Sequence, residues 1–410
     1  MWDVVIIGAG PSGALASSLL VQKGYSVCIY EKEYFPRFSI GESLLPHCMQ
    51  FIEQAGMLDA VTNAGFQFKN GAAFHKEGED DVTFDFTEKF SEGPGTTFQV
   101  TRGTFDKILA DEAEKSGVEI NYGSTVLSFE TNEKNAELQI LDSEGNTKTV
   151  KAKMVLDASG FGRVLPKLLD IESPSDFPVR SAIFSHFDDG ITDENFDRNK
   201  ILITVHPEHS DIWYWLIPLA DGISSIGVVG SPEKIKMSES SDMQQTLINL
   251  INEDSHLSAL LSNSKMVREA RRLEGYSANV SALSGDRFAL LGNAGEFLDP
   301  VFSSGVTIAL RSATMAVPLV IKTLENKNVD WHAEYDVPLR KGINVFKTFV
   351  VGWYDGRFQN VIFHKTPDGQ SDIKEMISSV LAGYAWDEKN PFVANSERYL
   401  NVLAEICTDT

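Results

Sequence analysis

Residues 3–7 (Asp3-Val4-Val5-Ile6-Ile7) form a short apolar run of β-branched side chains, the pattern of a strand buried on both faces. Gly8-Ala9-Gly10-Pro11-Ser12-Gly13 follows, and Ala14 to Lys23 then carry apolar residues at helical spacing up to Gly24, a residue suited to the C′ position. Ser26–Tyr30 reads as a second strand ending at Glu31, so the chain opens with a βαβ unit. A helix over Thr104–Ser116, stopped by Gly117, and a strand over Val118–Tyr122 come next. A hairpin turning at Asp142-Ser143-Glu144-Gly145-Asn146 then runs into the apolar strand Met154–Ala158. Segments 66–100 and 180–230 instead alternate aromatic and β-branched residues between Gly and Asp turns, which predicts an inserted antiparallel sheet. Phe288–Leu291 is another strand, leading through Gly292-Asn293-Ala294-Gly295 to a helix from about Ser304. From Asp330 the pattern is mainly helical, with breaks at Pro338, Pro367 and Pro391. The expected class is α/β: a Rossmann-like doubly wound sheet, an inserted antiparallel β-sheet and a helical C-terminal region.

Composition narrows the partners. The 410 residues carry 36 Lys and Arg against 58 Asp and Glu, a net charge of −22, which argues against nucleic acid or an anionic membrane as the main partner. Three cysteines without a C-x-x-C spacing exclude a disulfide framework and a zinc ribbon, and fit a reducing cytoplasm. The first residues lack the basic region of a signal peptide, and no stretch approaches the roughly 18 apolar residues of a membrane span. A soluble cytoplasmic protein is expected. The eight histidines show no metal spacing; His206-Pro207-Glu208-His209 reads as a turn, so no metal is expected.

Gly8, Gly10 and Gly13 hold the three glycine positions of a dinucleotide fingerprint, between a strand and a helix. They allow a tight turn, close backbone approach to a pyrophosphate and close helix–strand packing, with Pro11 and Ser12 opening the helix toward the negative charge. Glu31, at the end of the second strand, can accept hydrogen bonds from ribose hydroxyls. Two further strand-to-glycine turns, Leu156-Asp157-Ala158-Ser159-Gly160 and Leu291-Gly292-Asn293-Ala294-Gly295, resemble the second and third flavin-contacting segments of hydroxylase-type FAD folds. That resemblance favours FAD over NAD. It carries Asn293 where those families usually have Asp, and it maps Arg102 onto the Arg that reaches the flavin.

Trp213-Tyr214-Trp215-Leu216-Ile217-Pro218 places two indoles and Ile217 on one face of a strand that Pro218 ends. By pattern alone these are equally a pair of core tryptophans. The spacing W-x-W-x-I-P resembles the signature of flavin-dependent halogenases, and other segments agree with it. Phe35 to Pro46 is similar to the flavin-adjacent loop of the phenol and pyrrole branch. Phe66 to Ala72 resembles the segment bearing that family's catalytic lysine, and Phe297 to Gly305 resembles its F-x-x-P-x-x-S-x-G halide motif.

The resemblance implies a two-component enzyme in which reduced FAD from a separate flavin reductase, dioxygen and chloride or bromide give hypohalous acid. It implies cofactor contacts at Ser39, Ile40, Gly41, Glu42 and Ser43, at Val126, and at Pro300, Gly305 and Val306. It implies a halide site at the amides of Ser304 and Gly305, and Lys69 as the catalytic amine. Trp213 and Trp215 then keep substrate away from the flavin. Phe302 stands where indole halogenases carry a glutamate, which points away from free tryptophan and toward a phenolic, resorcinolic or pyrrolic ring, free or on an acyl carrier protein. A monooxygenase or isoprenoid-type reductase of the same fold is the alternative. Three parts are expected: an FAD-binding part from 1–65, 101–175 and 275–325, an inserted substrate-side sheet from 66–100 and 176–274, and a helical region over 326–410.

Overall fold

A computed structural model describes residues 1–238, 240, 242–364 and 371–408. The β-branched run at the start becomes the strand Trp2–Ile7, whose last four residues are fully enclosed. It sits at the centre of a sheet with the order Ser284–Gly285, Phe288–Leu290, Thr147–Asp157, Trp2–Ile7, Val27–Tyr30, Glu119–Asn121, parallel from Phe288–Leu290 onward. The register aligns Ile7 with Asp157 and Tyr30, and Asp157 with Leu290. Four strands therefore end at one level. The turns that leave them meet at the carboxyl edge of the sheet, where open α/β sheets bind ligands.

The second sheet runs Lys265–Met266, Ser181–Asp188, Ile223–Gly230, Trp213–Pro218, Lys200–Val205, Gly71–Lys76, Val82–Asp85, with Arg271–Glu274 also on Ser181–Asp188. It differs from the expected antiparallel sheet at one join, because Lys200–Val205 pairs with Gly71–Lys76 in parallel. The central strands are also deeply enclosed. Every residue of Trp213–Pro218 is buried. Trp213, Trp215 and Ile217 face the main core, while Tyr214 and Leu216 face a second cluster with Leu247, Leu250 and Ile251. Those leucines and isoleucine belong to the helix Met243–Asn252. With Pro232–Met237 and Ser255–Leu260, it covers the outer face of a region the sequence pattern gave as sheet alone.

Two expectations need correction. Ser304–Leu324 is 21 residues long and apolar enough, by length and composition, to span a membrane. It is instead a core helix, mostly buried and packed against Pro11–Val21 and His47–Gln54. Pro338 does not break the C-terminal helices. It is the second residue of Val337–Tyr354, which continues without interruption from the π-helical turn His332–Asp336, so its missing N–H falls where the hydrogen-bonding pattern changes anyway. Pro391 does open a new helix, and Pro367 lies outside the described residues.

Candidate active site

A continuous cleft of about 430 Å³ runs from the first glycine turn to the strand Trp213–Pro218. At one end Gly8 adopts φ +97°, and a Cβ there would lie 2.7 Å from the Ala158 carbonyl oxygen, so only glycine fits. A Cβ on Gly13 would lie 2.0 Å from the Gly8 oxygen, so Gly13 serves close packing and does not line the cleft, whereas Gly8, Gly10, Pro11 and Ser12 do. The helix Pro11–Val21 begins without a side-chain cap or an acidic residue in its first turn, leaving its N–H groups free for an anion. Glu31 is buried at the cleft. Its two carboxylate oxygens accept from the amides of Ala9 (2.8 Å) and Glu33 (2.9 Å), which bind the end of the second strand to the first turn.

The loop from Ser39 to Ser43 forms a long side of the cleft. Arg102 lines it too, but most of its donors are committed to this loop. Nε and Nη2 bind Asp106 at 2.8 and 3.0 Å, while Nη1 donates to the Ile40 and Gly41 carbonyls. Arg102 therefore staples the loop to its own helix more than it reaches outward. Glu42 is paired with His186 at 2.8 Å, and its other oxygen has no partner. Val126 lies opposite, on the strand Thr125–Thr131.

The second and third turns close the cleft. Asp157 is fully buried, which raises its pKa, and its oxygens accept from the amides of Ser159 (2.9 Å) and Leu165 (2.6 Å). Ala158, Ser159 and Gly160 are thereby presented to the cavity. Arg163, in the left-handed region at φ 48°, joins this turn to the third through the Gly295 carbonyl at 2.9 Å. Sequence reasoning missed Arg163, because nothing local marks an arginine that ties two distant turns. Phe297, the first residue of the F-x-x-P-x-x-S-x-G match, lines the cleft with its ring edge-on to Phe161 (centroids 5.1 Å apart), and Phe161 was also missed. Asn293 lines it with its buried Oδ1 unpartnered. That orphaned acceptor, the uncapped helix and the glycine turn that no Cβ could enter are what a dinucleotide with a polyol linker requires.

Past Pro300 the chain makes a 3₁₀ turn, passes Ser303 at φ 54° and enters the helix Ser304–Leu324 without a side-chain cap. Pro300, Gly305 and Val306 line the cleft, as does Ser303. Ser304 is buried behind them. Phe302 is packed against Trp353 and Phe358, so no carboxylate stands at that position.

Trp213 and Trp215 form the far wall, with ring centroids 5.9 Å apart. The indole of Trp213 donates to the Tyr354 hydroxyl (3.0 Å) and that of Trp215 to Ser225 (3.2 Å). Lys69, on the strand Gln67–Lys69, is outside the cleft lining and only 1% exposed. Its Nζ donates to Ser43 Oγ at 2.7 Å and the Leu44 carbonyl at 2.9 Å, and stands 5.4 Å from the Phe86 ring centre. No carboxylate pairs with it among the described residues, and burial pushes its pKa down to about 7. Ser43 is shared: it lines the cleft and holds the lysine.

Comparison with known proteins agrees with this construction. Residues 1–336 match the family described as FAD binding domain. The chain is 30% identical over 406 residues, covering 92% of itself and 88% of the relative, to a 1H-pyrrole-2-carbonyl-(peptidyl-carrier protein) chlorinase of Pseudomonas fluorescens. It is 30% identical to a tryptophan 2-halogenase of Chondromyces crocatus over 77% of its own length and 60% of that protein's. A crystal structure of a flavoprotein/dehydrogenase from Cytophaga hutchinsonii shares the fold at TM-score 0.95 and 40% identity, covering 99% of this chain and 98% of that one. The flavin-dependent brominase Bmp2 superposes over the whole of both chains at TM-score 0.83 with 23% identity, a likeness of fold. Fold and cleft thus define an FAD-binding oxidoreductase. Within that class the chain belongs to the flavin-dependent halogenases.

Proposed function

We propose that the protein is a two-component halogenase acting on an electron-rich phenolic or pyrrolic ring, free or held on a carrier protein, with FADH2 supplied by a separate reductase. The observation that carries this is an uncompensated, solvent-excluded amine at Lys69, joined through Ser43 to a flavin cleft whose other end is closed by two indoles. The fingerprint turn, Glu31 and the Ser39–Ser43 loop would hold FAD. When bound and reduced, FAD supplies the reaction of dioxygen with halide that yields hypohalous acid. The free amides around Ser304 and Gly305, at an uncapped helix start without a nearby first-turn acid, are suited to chloride or bromide.

The rest belongs to the chain's own side chains. Trp213 and Trp215 exclude the aromatic substrate from the flavin, so the oxidised halogen and not the flavin must reach it. Lys69 receives that halogen. As an ammonium it donates a hydrogen bond to the oxygen of hypohalous acid. As an amine its nitrogen attacks the halogen, forming an N–X bond as water leaves. Phe302 supplies no base, which suits a phenol or pyrrole whose ring loses its proton readily. The Pseudomonas relative, named for a pyrrole on a peptidyl carrier, supports the pyrrolic, tethered form of the reading.

The test is mass spectrometry of phenols, free pyrrole-2-carboxylate and its carrier-bound thioester, with a flavin reductase, NADH, FAD and either halide. A product heavier by one halogen, absent without halide, is expected. The Cytophaga structure's description as a flavoprotein/dehydrogenase favours one second reading, a reductase. Consumption of NADH or NADPH by the purified protein alone would establish it.

A further inference from the structure

Buried polar groups that the chemistry above does not use gather behind the indole wall. Asp299, only 3% exposed, immediately precedes the 3₁₀ turn Pro300–Phe302. Its Oδ1 accepts from the Val301 amide at 3.0 Å, closing the turn that brings Ser303 and Gly305 to the cleft. Its Oδ2 accepts from the hydroxyls of Tyr354 (2.9 Å) and Tyr276 (3.3 Å). The Tyr354 oxygen in turn accepts from the indole N–H of Trp213 at 3.0 Å. A directional chain thus runs from the barrier, through a phenol on the C-terminal helix Val337–Tyr354, to the turn on the halide side.

The two tryptophans are held differently. Trp215 is tied to Ser225 on the neighbouring strand, which any sheet could provide. Trp213 is tied across 141 residues of sequence to a group that touches the halide-side turn. A buried carboxylate without a bonded cation is tolerated only when its lone pairs are filled, and each filling donor is then fixed in direction.

We propose that Asp299 is a positioning residue that, through Tyr354, locks the Trp213 half of the barrier to the turn carrying Ser303 and Gly305, so that wall and halide side keep one spacing. The proposal rests on the halogenase reading for its consequence, but the lock itself is independent of substrate. Titration gives it a handle. Burial pushes Asp299 up to about 6, and the groups facing it are Tyr276, Tyr354 and Arg180, whose guanidinium lies 4.0 Å from the Tyr354 ring centre. Both phenols are raised well above their usual range and stay protonated. Once Asp299 takes up a proton it becomes an O–H donor and a weaker, neutral acceptor, so its hold on the two phenols loosens.

Two measurements on the FAD-loaded protein test this. The first is the share of reductase-supplied NADH that ends in halogenated β-diketone trap and not in hydrogen peroxide, at slightly alkaline pH. Tyr354→Phe is expected to lower that share by about tenfold, the size of one lost hydrogen bond to a charged group, with FAD retained. Trp213→Phe should do the same, and the double variant should be no worse than either single one, because all three break one link. The second is the decay of bound-flavin emission, which an indole beside the flavin quenches. It should become heterogeneous in Tyr354→Phe, and in the wild type below about pH 6. Asp299→Asn, which turns an amide N–H₂ toward two phenols, should be heterogeneous at every pH. An unchanged product share and single decay in Tyr354→Phe, loss of FAD in that variant, or multiplying effects in the double variant would each overturn the lock. A wild type that gives no halide-dependent product would instead overturn the halogenase reading, with the emission decay still deciding the lock.

Discussion

Lys69 concentrates the chemistry in one side chain. Its ammonium has two neutral acceptors and, among the described residues, no counter-charge, so enclosure favours the amine. Halogenation is therefore expected to rise with pH through about 7 and then level off, as measured with a fixed supply of FADH2. Lys69→Ala should lose halogenated product while peroxide release continues. Lys69→Arg should be as inactive, since a guanidinium cannot give up its proton. Stability moves with the same proton. A lysine depressed from 10.5 to about 7 contributes fully above the unfolded value and loses that contribution as pH falls through about 7. Lys69→Met should accordingly raise the melting temperature relative to wild type by more at pH ~6 than at pH ~9 in a buffered thermal scan. The sequence marks Lys69 through its flanking match alone. Its burial, its Ser43 partner and its lack of a carboxylate all come from a loop and a strand about 25 residues apart, and local pattern carries no trace of them.

At the level of elements, the strand Trp213–Pro218 shows how a flat wall is made. Trp215 lies over Gly227 on the neighbouring strand, where a Cβ would fall 2.3 Å from the ring. Gly227→Ala is expected to destabilise the protein by about 1–3 kcal/mol in urea unfolding and to push the indole toward the cleft, weakening FAD in a fluorescence titration. Elements with a strong local signal were readable: the opening βαβ unit, the hairpin around Asp142–Asn146 and the long helix from Ser304. Three kinds were not. The helix Met243–Asn252 carries its apolar face in a segment that aromatic alternation had dominated upstream. The parallel join of Gly71–Lys76 to Lys200–Val205 depends on pieces more than a hundred residues apart. Pro338 reads as a stop until the preceding π turn is known.

For the whole molecule, the cleft exists because three turns from separate regions meet at one edge of one sheet. FAD should therefore stabilise the native state and not the unfolded chain. A hundredfold excess over its dissociation constant would add about 2.7 kcal/mol, seen as a rise of a few degrees in melting temperature. Asn293→Asp should preserve this rise, since either side chain keeps an acceptor oxygen where Oδ1 has no donor among the described residues. The glycine spacings announced where these turns fall along the chain. They could not announce Arg163, which holds the second turn to the third, or the commitment of Arg102 to Asp106 and the Ile40 carbonyl. Such ties are properties of the assembled sheet.

The join between Gly71–Lys76 and Lys200–Val205 bears on how the protein is born. On the ribosome the earlier strand must wait, one edge unmatched, for its mate to emerge over a hundred codons later, and Phe288–Leu290 later still completes the neighbouring sheet. Long-range pairings of this kind are slow to form and leave sticky edges in the interim. The flavin pocket consequently cannot close until Ala309, the last residue of its lining, has left the exit tunnel.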